Sequence, residues 1–368
     1  MKIFLENDVY EAALVRLRWL FDEFEHVIVD FSGGKDSTIM VNLALQVAEE
    51  KGRLPIDVLF IDQEAEWAAV IDYARHVMSD PRVNPYWLQV PIRLFNATST
   101  AEPWLYCWEP GQTWIREKEP NSYRENVYGT DRFKPLFPAF TLHQFPHAAA
   151  CHISGVRTEE SPARRLGLTS METYKGETWG RIDDRKRGHY TFYPIYDWSY
   201  SDVWKAIHDH GWEYCRTYDY MYQYGVQPRN MRVSNVHHET AVNNLFFLQE
   251  IEAETWEKIT KRIAGINTVG QLQTQWHAPK TLPPMFRDWW EYRDHLLDNL
   301  IEDQALQAHY RTLFQRYESQ YNPESYRDLV RRQIETILAN DYHGTKLSNF
   351  ASANLKYLNN RGKRSGRH

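Results

Sequence analysis

Ser32-Gly33-Gly34-Lys35-Asp36-Ser37 puts two glycines, a cation, a carboxylate and two hydroxyls in six consecutive positions. Glycines let a main chain approach phosphate oxygens with no Cβ in the way. A helix that follows them presents unsatisfied N–H groups at its positive dipole end. Lys35 adds a cation, and Ser32 and Ser37 add hydroxyl donors. Asp36 would repel phosphate unless it held Mg2+ or oriented its neighbours, so its presence points to a metal-bridged pyrophosphate. The Walker pattern G-x-x-x-x-G-K-[ST] is absent.

Such a loop works only between a strand and a helix, and the flanking residues predict both. His26 to Phe31 is a short run rich in Val and Ile that stops at the glycines, and residues 37 to 50 read as a largely apolar helix ending near Gly52. Leu14, Leu17, Leu20, Phe21 and Phe24 predict an amphipathic helix over residues 10 to 24 that packs on the sheet. Further strands are expected at Ile56 to Ile61, Trp87 to Ile92, Ala149 to Val156 and Tyr190 to Ile195. A helix is expected from about Glu66 to Met78 and another from about Ser201 to His210, with Ser201 as its N-cap. Alternating β and α units of this length imply an α/β fold, a doubly wound, mostly parallel sheet covered on both faces.

Residues 96 to 148 break the rhythm with six prolines and aromatics that include Trp104, Trp108, Trp114 and Tyr128. They read as an insertion, either a lid near the ligand mouth or an irregular core flap. Beyond about residue 215 the pattern is helical and charged. The expected domains are therefore a nucleotide-binding domain over 1–215, a helical region over 216–345 and a basic tail over 346–368.

The hexapeptide in its strand-turn-helix setting resembles the PP-loop of the ATP pyrophosphatase and phosphoadenosine phosphosulfate (PAPS) reductase superfamily. Two later segments resemble PAPS reductase relatives as well. Gly155-Val156-Arg157-Thr158-Glu159-Glu160-Ser161 is similar to G-[IV]-R-x-x-E-S, and Pro194-Ile195-Tyr196-Asp197-Trp198 with Asp202-Val203-Trp204 is similar to P-I-x-D-W-x-x-x-D-V-W. The resemblance implies an adenine nucleotide, ATP or PAPS, with its phosphates on residues 32–37 and on Arg157 as a planar fork, Glu160 fixing Arg157 or a neighbouring base. It also implies Asp62, with Glu64 second, near the ribose, the adenine or Mg2+. Trp198 and Trp204 are expected to pack the helix on the sheet, while Asp197 caps that helix or braces the site. Arg164, Arg165, Lys175, Arg181, Arg185, Lys186 and Arg187 could meet a 3′-phosphate, a sulfate or a polynucleotide, or form a solvated loop.

The chain departs from sulfonucleotide reductases in lacking the C-terminal E-C-G-[IL]-H motif and the paired cysteines of the iron-sulfur branch, so no Fe-S cluster is expected. Cys107, Cys151 and Cys215 are widely spaced. They suggest neither a disulfide framework nor a closed metal site, and His152, His237 and His238 lack ligand spacing. The whole pattern resembles an uncharacterised bacterial and phage branch of PAPS reductase-like proteins, often encoded beside a ParB-like protein, in a superfamily that also includes enzymes of DNA phosphorothioation.

The net charge is -6, yet Lys356, Arg361, Lys363, Arg364 and Arg367 crowd the last residues without an acid; without them 38 basic residues face 49 acidic ones, a net -11. Such a tail is either a solvated end or an arm for nucleic acid. Met1 to Leu20 carries charges throughout and no later run could span a bilayer, so a cytoplasmic protein with no membrane contact is expected. The leading expectation is an enzyme whose catalytic groups are Lys35, Asp36 and Arg157, with Mg2+ on Asp36. It would cleave ATP at the α-phosphate. The alternatives are sulfur chemistry at Cys151 or Cys215, or a nucleotide sensor acting through a ParB-like or nucleic-acid partner. The oligomeric state is left open.

Overall fold

The computed structural model describes residues 6–351 apart from 161–163, 166–167, 169–171, 185–187, 234–235, 238–244, 267–278, 280 and 320–325. Ser161, Arg185, Lys186, Arg187, His238 and, in the tail, Lys356, Arg361, Lys363, Arg364 and Arg367 lie outside the described residues.

A helix, α1 (Val9–Glu23), leads into β1 (His26–Phe31), α2 (Lys35–Glu50), β2 (Ile56–Ile61), α3 (Ala68–Met78) and β3 (Val83–Leu88). Two short strands, β4 (Ile92–Phe95) and β5 (Trp104–Cys107), pair with each other; helix α4 (Phe133–Gln144) follows. The main sheet resumes with β6 (Ala150–Ile153), β7 (Thr173–Tyr174), β8 (Glu177–Asp184) and β9 (His189–Phe192), and α5 (Tyr200–His210) closes this series. The seven strands run in the order β3-β2-β1-β6-β9-β8-β7. Pairing is parallel from β3 through β9 and antiparallel at β9–β8 and β8–β7. The third expected strand lies earlier than Trp87 to Ile92, because a break at Gln89 to Pro91 separates β3 from β4.

Strands β1 and β2 are buried almost throughout, as a sheet covered on both faces requires. Helix α1 contributes Leu14, Leu17, Leu20 and Phe21, and α2 buries Ile39, Met40, Leu43, Ala44 and Val47. The chain leaves β1 toward β2 on one side and returns through β6 on the other, which puts a topological switch point between β1 and β6. In open α/β sheets that crevice, at the carboxyl ends of the strands, is where ligands bind.

The Asp197-Trp198 segment anchors α1 and leaves the α5 cap to another residue. Asp197 forms a two-point ion pair with Arg16 at 2.7 and 2.9 Å, and the Trp198 indole donates to the Val9 carbonyl at 2.9 Å. The N-cap is Ser199 rather than Ser201: its hydroxyl accepts the Asp202 N–H while the Asp202 carboxylate accepts the Ser199 N–H. Asp202 stands three residues after Ser199, which closes a capping box that Ser201 could not form.

Two compact units emerge. One comprises residues 1–94, 106–236 and 247–258; the other comprises 95–105, 237–246 and 259–368. Helices α6 (Thr217–Gln223), α7 (Leu245–Ile251) and α8 (Ala253–Arg262) follow α5 in the chain; in the second unit α9 (Trp289–Leu300), α10 (Gln304–Glu318) and α11 (Tyr326–Leu338) enclose Leu297, Ile301, Leu306, Tyr310, Phe314, Leu329 and Ile337. Asn340, at φ 46°, donates to the Ser99 carbonyl at 3.0 Å and accepts from the Tyr310 hydroxyl at 2.9 Å.

Replacing Ser199 by Ala is expected to cost about 1 kcal/mol in urea unfolding, whereas Ser201→Ala should stay within about 0.5 kcal/mol of wild type. Equal losses would move the cap back to Ser201.

Candidate functional site

The phosphate loop folds as its residue types dictate. Gly33 adopts φ 70°, and a Cβ there would stand 2.6 Å from Val70 Cγ1 of α3, so no other residue fits without displacement. The Ser37 hydroxyl donates to the Gly34 carbonyl at 2.9 Å and accepts the Ser32 N–H at 3.2 Å, bracing the loop from inside. Gly34 is the N-cap of α2 and supplies no side-chain cap, so the helix opens with its amides directed at the switch-point crevice.

From the other side of the crevice, the segment after β6 closes on the same helix end. A Cβ on Gly155 would lie 2.7 Å from the Asp36 carbonyl carbon and oxygen, a separation that only glycine allows. Two residues later Arg157, buried, donates from Nε to Asp36 Oδ1 at 2.6 Å and reaches Glu159 at 3.4 Å and Glu160 at 3.8 Å. Glu159 also accepts the Tyr200 N–H at 2.7 Å, and Glu160 pairs with Arg164. The structure thus brings Ser32 to Ser37, Gly155, Arg157 and Glu160 into one place.

Charge is concentrated here. The Lys35 ammonium, 5% exposed, lies 3.3 Å from Asp36 and 3.3 Å from the Met231 carbonyl. Burial lowers its pKa, and Arg157 and Arg232 push in the same direction against the pull of Asp36. The Arg164 pKa is also lowered, by burial first and then by Arg232 and Arg157. Lys35, Arg157, Arg164 and Arg232 thus gather with the three carboxylates of Asp36, Glu159 and Glu160 about the start of α2.

Asp36 does not fit the expected role of Mg2+ ligand. Both its oxygens are engaged by cations, Oδ1 by Arg157 and Oδ2 by Lys35. Among the described residues no group of three His, Cys, Asp or Glu side chains could hold a metal.

Asp62 likewise has no free carboxylate. Fully buried after β2, it accepts from Trp87 Nε1 at 2.8 Å, Gln89 Nε2 at 2.9 Å, the Glu64 N–H at 2.9 Å and Arg116 Nη2 at 2.6 and 2.7 Å. Glu64, at φ 64°, accepts the Trp108 N–H at 2.9 Å, and the Trp108 indole donates to the Asp62 carbonyl at 2.8 Å. Residues 107–116 of the insertion are thus a packed flap, with Trp108 fully buried and the Arg116 guanidinium over its ring. Glu66, beside them, has its pKa pushed up to about 8 by burial and then by the Asp62 charge.

The remaining expected groups disperse. Lys175 pairs with Glu23 and Arg181 with Asp183, and the Arg181 guanidinium also lies over the Tyr193 ring at 5.6 Å. His152 is buried between Asp30 and Thr141, each at 2.6 Å. All three cysteines are buried. Burial and then Asp30 raise the Cys151 thiol well above its ordinary range, and burial pushes Cys215 up to about 11. Sequence reading missed Arg232 and Tyr218. Neither belongs to a spaced motif: Tyr218 lies on the short helix Thr217–Gln223 and Arg232 in the irregular segment after Asn230.

A mostly parallel sheet with the glycine loop of residues 32–37 at its switch point defines a PP-loop α/β protein. Residues 26–224 match the phosphoadenosine phosphosulfate reductase domain, so the chain belongs to that family. Residues 225–357 match a domain of unknown function, DUF3440. The uncharacterised protein YbdN of Escherichia coli strain K12 is 30% identical over 329 residues, 84% of this chain and 79% of that protein. Sulfate adenylyltransferase subunit 2 of Mycolicibacterium vanbaalenii is 25% identical over 193 residues, 52% of this chain and 57% of the subunit's length. Adenosine 5'-phosphosulfate reductase of Staphylococcus saprophyticus is 21% identical over 219 residues, 58% of this chain and 74% of the reductase. Among solved structures, FMN adenylyltransferase of Candida glabrata aligns with TM-score 0.37 at 12% identity, covering 59% of this chain and 62% of that one. No helix among the described residues is long and apolar enough to cross a membrane.

The Glu66 shift carries a pH signature. Its folded pKa, about 8, lies above the ordinary 4.5, so the stability contributed by the protonated carboxyl is full below pH 4.5 and lost as pH rises through 8. Glu66→Gln stays neutral throughout, so its Tm advantage over wild type should grow from pH 4.5 to 8; an advantage independent of pH would contradict a protonated Glu66.

Proposed function

We propose that the chain binds an adenine nucleotide at the switch point and activates it at the α-phosphate, releasing pyrophosphate. The observation that carries this reading is the convergence of the buried Lys35 and Arg157 side chains on Asp36 at the N-terminus of α2, with Arg164 paired to Glu160 beside them. Cations held this close raise one another's free energy, and an anion between them relieves the repulsion. Phosphate oxygens would accept from the loop amides while Arg157 and Lys35 neutralise charge.

In the proposed step a nucleophilic oxygen of the acceptor forms a bond to the α-phosphorus as the bond from phosphorus to the bridging oxygen breaks. The electron pair leaves on pyrophosphate and the acceptor gives up its proton. Buried cations placed where charge accumulates on the leaving group would lower that barrier. No protein nucleophile is needed, which agrees with the cysteines: a thiol raised by burial supplies little thiolate for attack on sulfur. The adenylyltransferase subunit among the relatives lends the reading support from its name. No step is assigned to a protein-held metal, since the Asp36 carboxylate is already committed.

Calorimetric titration of ATP and of PAPS into wild type, Lys35→Ala and Cys151→Ser tests the proposal. ATP should bind more tightly than PAPS. Lys35→Ala should weaken ATP on the order of 10–100-fold, as for a lost charge-assisted hydrogen bond, and Cys151→Ser should leave it unchanged. Tighter binding of PAPS, with loss of turnover in Cys151→Ser, would overturn the adenylating reading in favour of sulfur transfer.

A further inference from the structure

One hydroxyl outside every sequence motif sits on the phosphate loop. Tyr218 is the second residue of α6 (Thr217–Gln223), and its oxygen accepts the Lys35 N–H at 3.0 Å, the amide that opens α2. The residue is 3% exposed, its oxygen 3.4 Å from where a Gly34 Cβ would stand. It is fixed from several directions. The ring lies 5.4 Å from the Lys35 ammonium and edge-on to Trp204 at 5.3 Å, and its neighbours Thr217 and Met221 are fully buried.

A phenol accepts with its oxygen and donates with its own proton. The first function is used on Lys35; the second has no acceptor among the described residues. A buried donor without a partner costs free energy, and the missing partner is ordinarily water or a ligand. Burial first, and then the Asp36 charge, raises the phenol's pKa well above its ordinary 10.0, so the proton stays in place. Because the helix dipole polarises Lys35 N–H toward the oxygen, the hydroxyl becomes a stronger donor in turn.

We propose that Tyr218 is a positioning residue of the phosphate site, accepting the Lys35 N–H and donating its own proton to a non-bridging phosphate oxygen of the bound nucleotide. The cradle then extends one hydroxyl beyond the main chain, and the nucleotide stands off α2 by that length. The tight seat of the ring favours a donor that stays in place over a gate that swings out. This inference rests on the nucleotide reading above.

The test compares full-length wild type, Tyr218→Phe and Lys35→Ala by titration with ATP, inorganic pyrophosphate and adenosine. Tyr218→Phe should bind ATP and pyrophosphate roughly tenfold more weakly and adenosine unchanged, as expected for one hydrogen bond to a charged group. Unchanged or tighter ATP binding in Tyr218→Phe, beside a loss in Lys35→Ala, overturns the Tyr218 role alone. An equal loss for ATP and adenosine overturns it too, since packing and not phosphate contact would then be at fault. If neither variant alters ATP binding, the nucleotide reading itself fails. Should Tyr218→Phe not fold, 3-fluorotyrosine at position 218 keeps the ring and hydroxyl: its fluorine resonance should move with pyrophosphate and hold still with adenosine, and the reverse would refute the contact.

Discussion

The contact from Arg157 Nε to Asp36 Oδ1, 2.6 Å long, ties the two banks of the switch point together. One bank is the loop after β1 and the other the segment after β6, and these strands are neighbours in the sheet although more than a hundred residues separate them in sequence. Removing one partner of so buried a pair leaves an uncompensated charge, at a cost of about 3–5 kcal/mol. Gly155 makes the contact possible, since any side chain there would hold the backbone away from Asp36.

Once that pair is closed, the remaining charges have few choices. Lys35 is drawn into a buried place between Asp36, the Met231 carbonyl and the Tyr218 ring. Arg164 and Arg232 gather close enough for their repulsion to be felt. A fold does not accumulate cations in this way for stability, because each is desolvated and each opposes the next. The arrangement is intelligible as preorganisation for an anion, with the repulsion relieved on binding.

The second buried polar centre, around Asp62, works differently. Its hydrogen bonds from Trp87, Gln89, Glu64 and Arg116 are made within the protein and fasten the insertion to the end of β2. Here the polar atoms are consumed in positioning, whereas at α2 the Tyr218 proton stays available. An acidic residue at a strand end looks the same in sequence in either case, which is why Asp62 read as a ligand contact.

The sequence by itself determined the strand, glycine turn and helix, because a β-rich run, two glycines and an apolar helical stretch are local preferences that adjacent residues express together. It also carried the resemblance to PAPS reductases, the family whose domain residues 26–224 match. Strand limits shifted where a break such as Gln89 to Pro91 competed with hydrophobic patterning, and the α5 cap moved to Ser199 because the reciprocal bond with Asp202 outweighs the bare presence of a serine. Only the tertiary structure decided that Asp36 and Asp62 are already paired, that the cysteines are buried thiols, and that Tyr218 and Arg232 attend the loop. The physical reason is range: such outcomes depend on contacts across more than forty and up to nearly two hundred residues of chain, and no local spacing encodes which distant side chain will arrive.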